Sequence, residues 1–133
     1  MNTVTTRKSS MYALDLSLKH EFYNMIESGR KSEEYRDFRP YYANRLLYHK
    51  NLGQKEYWDT IFANMKTRPY YKPQHLLRDY GARRYDAVRF HKGQGGKQTM
   101  LFEFAGLEIG KGRPEWGAPD EDVFIIKLGR RIG

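Results

Sequence analysis

Hydrophobic and polar positions alternate over residues 11–16, with Tyr12, Leu14 and Leu16 on one side, and this period of two predicts a short strand. Ser17 then stands where a helix N-cap belongs, and Leu18, Phe22, Met25 and Ile26 recur at helical spacing along an amphipathic segment, residues 18–28. Gly29 falls where a left-handed terminator stops a helix. The pattern returns at once to period two. It sets Ser32, Glu34 and Arg36 on one strand face and Lys31, Glu33 and Tyr35 on the other.

Residues 37–80 read as helical and irregular. Asp37 is a candidate cap for a helix with Pro40 in its first turn, and Trp58, Ile61, Phe62 and Met65 form a stripe expected to be core. The string Arg68-Pro69-Tyr70-Tyr71-Lys72-Pro73 breaks the pattern and predicts an extended connection, followed by a short turn of helix over residues 74–79. From Tyr85 the chain reads as β. Val88 and Phe90 alternate with Arg89 and His91, Gly93 to Gly96 form a hairpin turn, and Met100, Phe102 and Phe104 alternate again. Leu107 and Ile109 follow. A Gly- and Pro-rich loop, residues 110–122, carries Glu115-Trp116-Gly117 before an apolar final strand over residues 123–128.

At 133 residues this predicts a single domain from residue 11 onward, behind a frayed polar tail at 1–10. No apolar run approaches the ~20 residues that span a bilayer, so no membrane association is expected. The first ten residues lack the apolar stretch of a secretory signal. The absence of cysteine excludes disulfides, thiolate metal sites and a cysteine nucleophile, and fits a cytoplasmic protein.

Charge changes the picture. Residues 36–99 hold 14 Lys/Arg against 5 Asp/Glu, a net of +9, while the rest of the chain holds 10 against 11; the total is +8. The same half holds Tyr41, Tyr42, Tyr48, Tyr57, Trp58, Tyr70, Tyr71, Tyr80 and Tyr85. Cations interleaved with aromatics suit nucleic acid, where charges meet phosphates and rings stack on bases. A solvated basic surface over an ordinary aromatic core is the alternative.

Other motifs fail. Gly93-Gln94-Gly95-Gly96-Lys97-Gln98-Thr99 lacks the spacing of a phosphate loop and precedes a strand. His20, His49, His75 and His91 have no ligand-like spacing, so neither a metal nor another cofactor is expected.

Gly29, Lys31, Glu34 and Arg36 form the pattern G-x-K-x-x-E-x-R after the segment beginning Leu16-Ser17-Leu18. With the helical stretch containing Tyr57-Trp58, the string Tyr85-Asp86-Ala87-Val88-Arg89-Phe90 and a closing strand ending in Leu128-Gly129, the chain resembles the ASCH domain family of the PUA-like superfamily over about residues 13–129. The resemblance implies an α+β fold: a small PUA-like β-barrel with helices packed outside, the helical insert at about 37–80. It also implies binding of RNA, single-stranded nucleic acid or a modified nucleotide in a basic cleft lined by the signature. Lys19, Lys31, Glu34, Arg36, Arg39, Arg89 and Trp116 are the candidate contacts.

Some members of the family are amidohydrolases acting on acetylcytidine, and others have been linked to nuclease activity, so a hydrolase acting on an acylated nucleoside or on RNA is the alternative. Its catalytic candidates are Lys31, Glu34 and Glu115. The amidohydrolase threonine is replaced here by Glu34, which removes the hydroxyl nucleophile. Beside a carboxylate, Lys31 stays protonated and is a better phosphate or carbonyl ligand than a nucleophile. Glu34 can accept from a base's amino group or act as a general base, and Arg36 can hold phosphate in bidentate fashion. Alternatively Glu34 and Arg36 pair with each other and pin the strand, and Trp116 plugs one end of the barrel.

Overall fold

The computed structural model describes residues 11–50 and 54–133; the expected tail at 1–10 lies outside them. The fold is α+β. Five strands, β1 (Ala13–Leu18), β2 (Glu33–Asp37), β3 (Ala87–Lys92), β4 (Thr99–Lys111) and β5 (Asp122–Arg131), form one mixed sheet in the order β1-β3-β4-β5-β2. β1 runs parallel to β3; the pairs β3–β4 and β2–β5 are antiparallel. The helices among the described residues are α1 (His20–Glu27), α2 (Pro40–Leu46), α3 (Lys55–Met65) and α4 (His75–Tyr80). None is long and apolar enough to cross a membrane.

The chain clusters into two compact units. The first takes residues 11–32, Arg84–Ala105 and Leu128–Gly133; the second takes Glu33–Arg83 and Gly106–Lys127. In the first, Leu14, Leu16 and Leu18 of β1 face inward, and Tyr23 and Ile26 bury the inner stripe of α1. The boundary between these elements differs from the sequence expectation. Ser17 and Leu18 continue the strand, where they pair with His91 and Lys92, and Lys19 takes the N-cap position without a side-chain hydrogen bond. The period-two run extends one leucine further than residues 11–16, and strand pairing outweighs Ser17's capping preference.

Gly29 does stop α1. Its φ of +84° is the left-handed conformation that lets the amides of Arg30 and Lys31 donate to the carbonyl of Met25 at 3.0 and 3.1 Å.

In the second unit, Val123 to Ile126 of β5 are all buried, so both faces of that strand are covered, as its unbroken apolar run requires. The three helices α2–α4 occupy the segment expected to be helical. Pro40 opens α2 as expected, but Arg39, extended at the N-cap, precedes it; Asp37 instead ends β2. The Trp58 stripe lies on α3, with Trp58 buried and Ile61, Phe62 and Met65 half-buried. The late β region is longer than its polar signals suggest. Leu107 and Ile109 belong to β4, a 3-10 turn (Pro114–Trp116) sits in the following loop, and β5 runs to Arg131.

Candidate nucleic-acid interface

The signature runs from the helix stop into β2. Lys31, in the first unit, is only 3% exposed, and its ammonium lies 4.4 Å from the centre of the Phe22 ring on α1. An ammonium over an aromatic face is held by the ring quadrupole. The helix stop therefore turns this lysine inward.

Glu34 and Arg36, in the second unit, do pair. The Arg36 Nε donates to Glu34 Oε2 at 3.0 Å, and the nearer terminal nitrogen is 2.8 Å from the same oxygen. Arg36 also donates to the Tyr42 hydroxyl of α2 at 3.2 Å. Burial works against the guanidinium charge, but the Glu34 carboxylate and Tyr42 outweigh it and raise the Arg36 pKa above that of an ordinary arginine.

The opposite face of β2 carries a second network that sequence reading missed. Glu33 is buried. It accepts from Lys127 Nζ at 2.6 Å across the strand pair and from the Tyr35 hydroxyl at 2.7 Å. Burial pushes the Glu33 carboxyl up, but the bonds from Lys127 and Tyr35 win and hold it below the usual glutamate value. Burial and the Glu33 carboxylate raise the Tyr35 phenol, while the bond from the Arg113 amide opposes them. That amide donates to the Tyr35 oxygen at 3.0 Å, tying the β4–β5 loop to β2. A Cβ on Gly112 would meet Tyr35 Cε1 at 2.6 Å and the Ala118 Cβ at 2.7 Å, so only glycine lets the loop approach this closely. Strand alternation set Glu33 and Tyr35 on one face. Their partners lie 94 and 78 residues away, where only the strand register and the loop's path reveal them.

The loop carries Trp116, half-buried, with the Arg113 guanidinium 4.6 Å from its ring centre. Glu115 is exposed, 3.9 Å from Arg113. Lys19 is exposed ahead of α1. Arg39 lies 3.4 Å from Asp37 and lines a groove of about 380 Å³ that also carries Glu121 and Asp122. Three carboxylates around one guanidinium make a poor phosphate site. Arg89 lies on β3 and meets Asp15 at 3.3 Å, beside His91 at 2.8 Å from the same oxygen.

The basic half divides once its contacts are known. Arg36 is paired, and Arg83 binds the α2 carbonyls of Asn44 and, just past its end, Leu47. Trp58 is buried, His49 stacks on Tyr57 at 4.1 Å, and the Tyr57 and Tyr80 hydroxyls meet at 2.6 Å. Trp58 is core, and the half-buried rings of His49, Tyr57 and Tyr80 pack around it. Tyr41, Tyr48 and Tyr70 remain open to solvent, at 50%, 54% and 90% exposure. Around Tyr70, Lys66, Arg68, Lys72 and Arg78 are exposed as well.

No family model, curated protein or solved structure matches the chain. Among the described residues no cluster of three or more His, Asp or Glu is placed to hold a metal ion.

Proposed function

We propose that this chain is a nucleic-acid-binding domain of ASCH type on a PUA-like barrel, holding RNA, single-stranded nucleic acid or a modified nucleotide. The observation that carries the reading is the segregation of charge: a net +9 over residues 36–99, with exposed cations beside exposed tyrosine rings. Supporting it are the G-x-K-x-x-E-x-R pattern at a helix–turn–strand junction and the helical segment between β2 and β3. The lack of cysteine fits the cytoplasm.

Binding is favoured over hydrolysis. The Glu34 carboxylate is little exposed and held by Arg36 at 2.8 Å, so it is poorly placed to reach a water beside a substrate. Fluorescence anisotropy with a mixed-sequence single-stranded RNA tests the proposal. The protein is expected to bind at low salt, and absence of binding there overturns it.

A further inference from the structure

We propose that the connection between α3 and α4 is a stacking subsite for one nucleotide of a single strand, its base on the Tyr70 ring and its phosphate at Arg68. This rests on the nucleic-acid reading above and gives it a place. Tyr70 sits at the tip of a hydrogen-bonded turn: the Tyr71 amide donates to the Arg68 carbonyl at 3.0 Å, with Pro69 and Tyr70 between them. Proline at the first central position presets the turn backbone, so little ordering remains when a ligand arrives.

Adjacent tyrosines have opposite fates. The Tyr71 hydroxyl donates to Asp79 Oδ2 at 2.6 Å, and its ring edge meets His75 at 5.3 Å, so it is anchored. Tyr70, in the same turn, is 90% exposed. Leaving an aromatic face this open forgoes its burial and keeps it available for a base to stack on.

The surroundings match a phosphodiester. Tyr70 flanks an open groove of about 480 Å³, within the usual size range of small-ligand sites, walled by Thr67, Arg68, Tyr71, His75 and Arg78. From residue 66 to 78 there are four cations and no carboxylate. The next acid, Asp79, is engaged by Tyr71 and by Arg78 at 3.0 Å. The Lys72 amide donates to His75 Nδ1 at 3.0 Å, which places the proton of the neutral ring on Nε2 and makes that nitrogen a donor. Arg68 also borders a smaller cleft of about 200 Å³ lined by Ile61, Asn64, Met65, Tyr71, Asp79 and Tyr80, so this one cation serves both openings.

The test is anisotropy of a labelled mixed-sequence RNA of about 12 nucleotides with the full chain and its variants at about 50 mM salt. Tyr70→Leu is expected to weaken binding roughly tenfold, with an unchanged melting temperature and an unchanged salt slope, because it removes a stacking face and no charge. Tyr70→Phe is expected to stay within about twofold of wild type, since stacking needs the ring and not the hydroxyl. Tyr70→Leu binding as tightly as wild type overturns the subsite and leaves the nucleic-acid reading standing. Failure of the wild-type protein to bind RNA overturns both. A poly-glutamate peptide that binds as tightly as the RNA, and loses as much in Tyr70→Leu, overturns base stacking in favour of an acidic protein partner.

Discussion

Replacing Arg36 with alanine separates scaffold from binding surface within the signature. Its side chain is 15% exposed and that of Glu34 7%, so the pair is largely shielded from water. Arg36→Ala leaves the Glu34 carboxylate buried without its guanidinium and deprives the Tyr42 hydroxyl of its donor. Stranding one member of a buried ion pair costs roughly 3–5 kcal/mol, and the partial exposure of Arg36 places the expected loss near the lower bound, about 3 kcal/mol. For a chain of this size that corresponds to a melting temperature lower by about 10 °C. The assay is urea and thermal unfolding followed by circular dichroism, with Glu34→Leu/Arg36→Met alongside. The double variant removes both charges and should recover most of the loss, because the cost lies in keeping the carboxylate buried without this guanidinium and not in the missing attraction. RNA affinity per folded molecule should stay close to wild type. Destabilisation by Arg36→Ala under about 0.5 kcal/mol, the range of an ordinary surface substitution, would refute the reasoning.

Two further outcomes follow from the opposite face of β2. The Glu33 carboxyl is held below its ordinary value of 4.5. In the window just below that value the unfolded chain binds a proton that the folded chain does not. The contribution of Glu33 is therefore complete above it and lost as pH falls through the lower folded value. Glu33→Gln should flatten the acid limb of a stability-versus-pH curve, and an unchanged acid limb would remove Glu33 from that account. Gly112→Ala forces a methyl to within 2.6 Å of Tyr35 and is expected to cost roughly 1–3 kcal/mol by overpacking. Proteolysis should then cut the β4–β5 loop faster than in wild type, and an unaltered cleavage rate would count against the loop being tied down there.

Much of the fold was legible because local pattern and tertiary structure agree. The alternation of Leu14 and Leu16, the stop at Gly29, the Trp58 stripe and the apolar β5 each carry their own signal. Leu18 was misread because a leucine fits a strand end and a helix start equally well, and only pairing with Lys92 decides between them. The Glu34–Arg36 pairing was open from sequence, since same-face spacing permits it and burial favours it. The Glu33–Lys127 pair was not accessible, because nothing local announces a register joining residues so far apart. Tyr70 was visible only as one of nine tyrosine and tryptophan residues in the basic half. What distinguishes it is that neighbours such as Trp58, Tyr57, Tyr80 and Tyr71 find partners inside the second unit, while its own ring stays in solvent.

The most direct test of nucleic-acid binding is the salt dependence of RNA affinity. Each phosphate neutralised on a single strand contributes a slope of about −0.7 in log K against log salt, so four contacts give about −2.8. Between about 50 and 200 mM salt the affinity is then expected to fall roughly 50-fold. A slope near zero, or no binding at the lowest salt, would contradict the assignment of the basic segment to a polyanion.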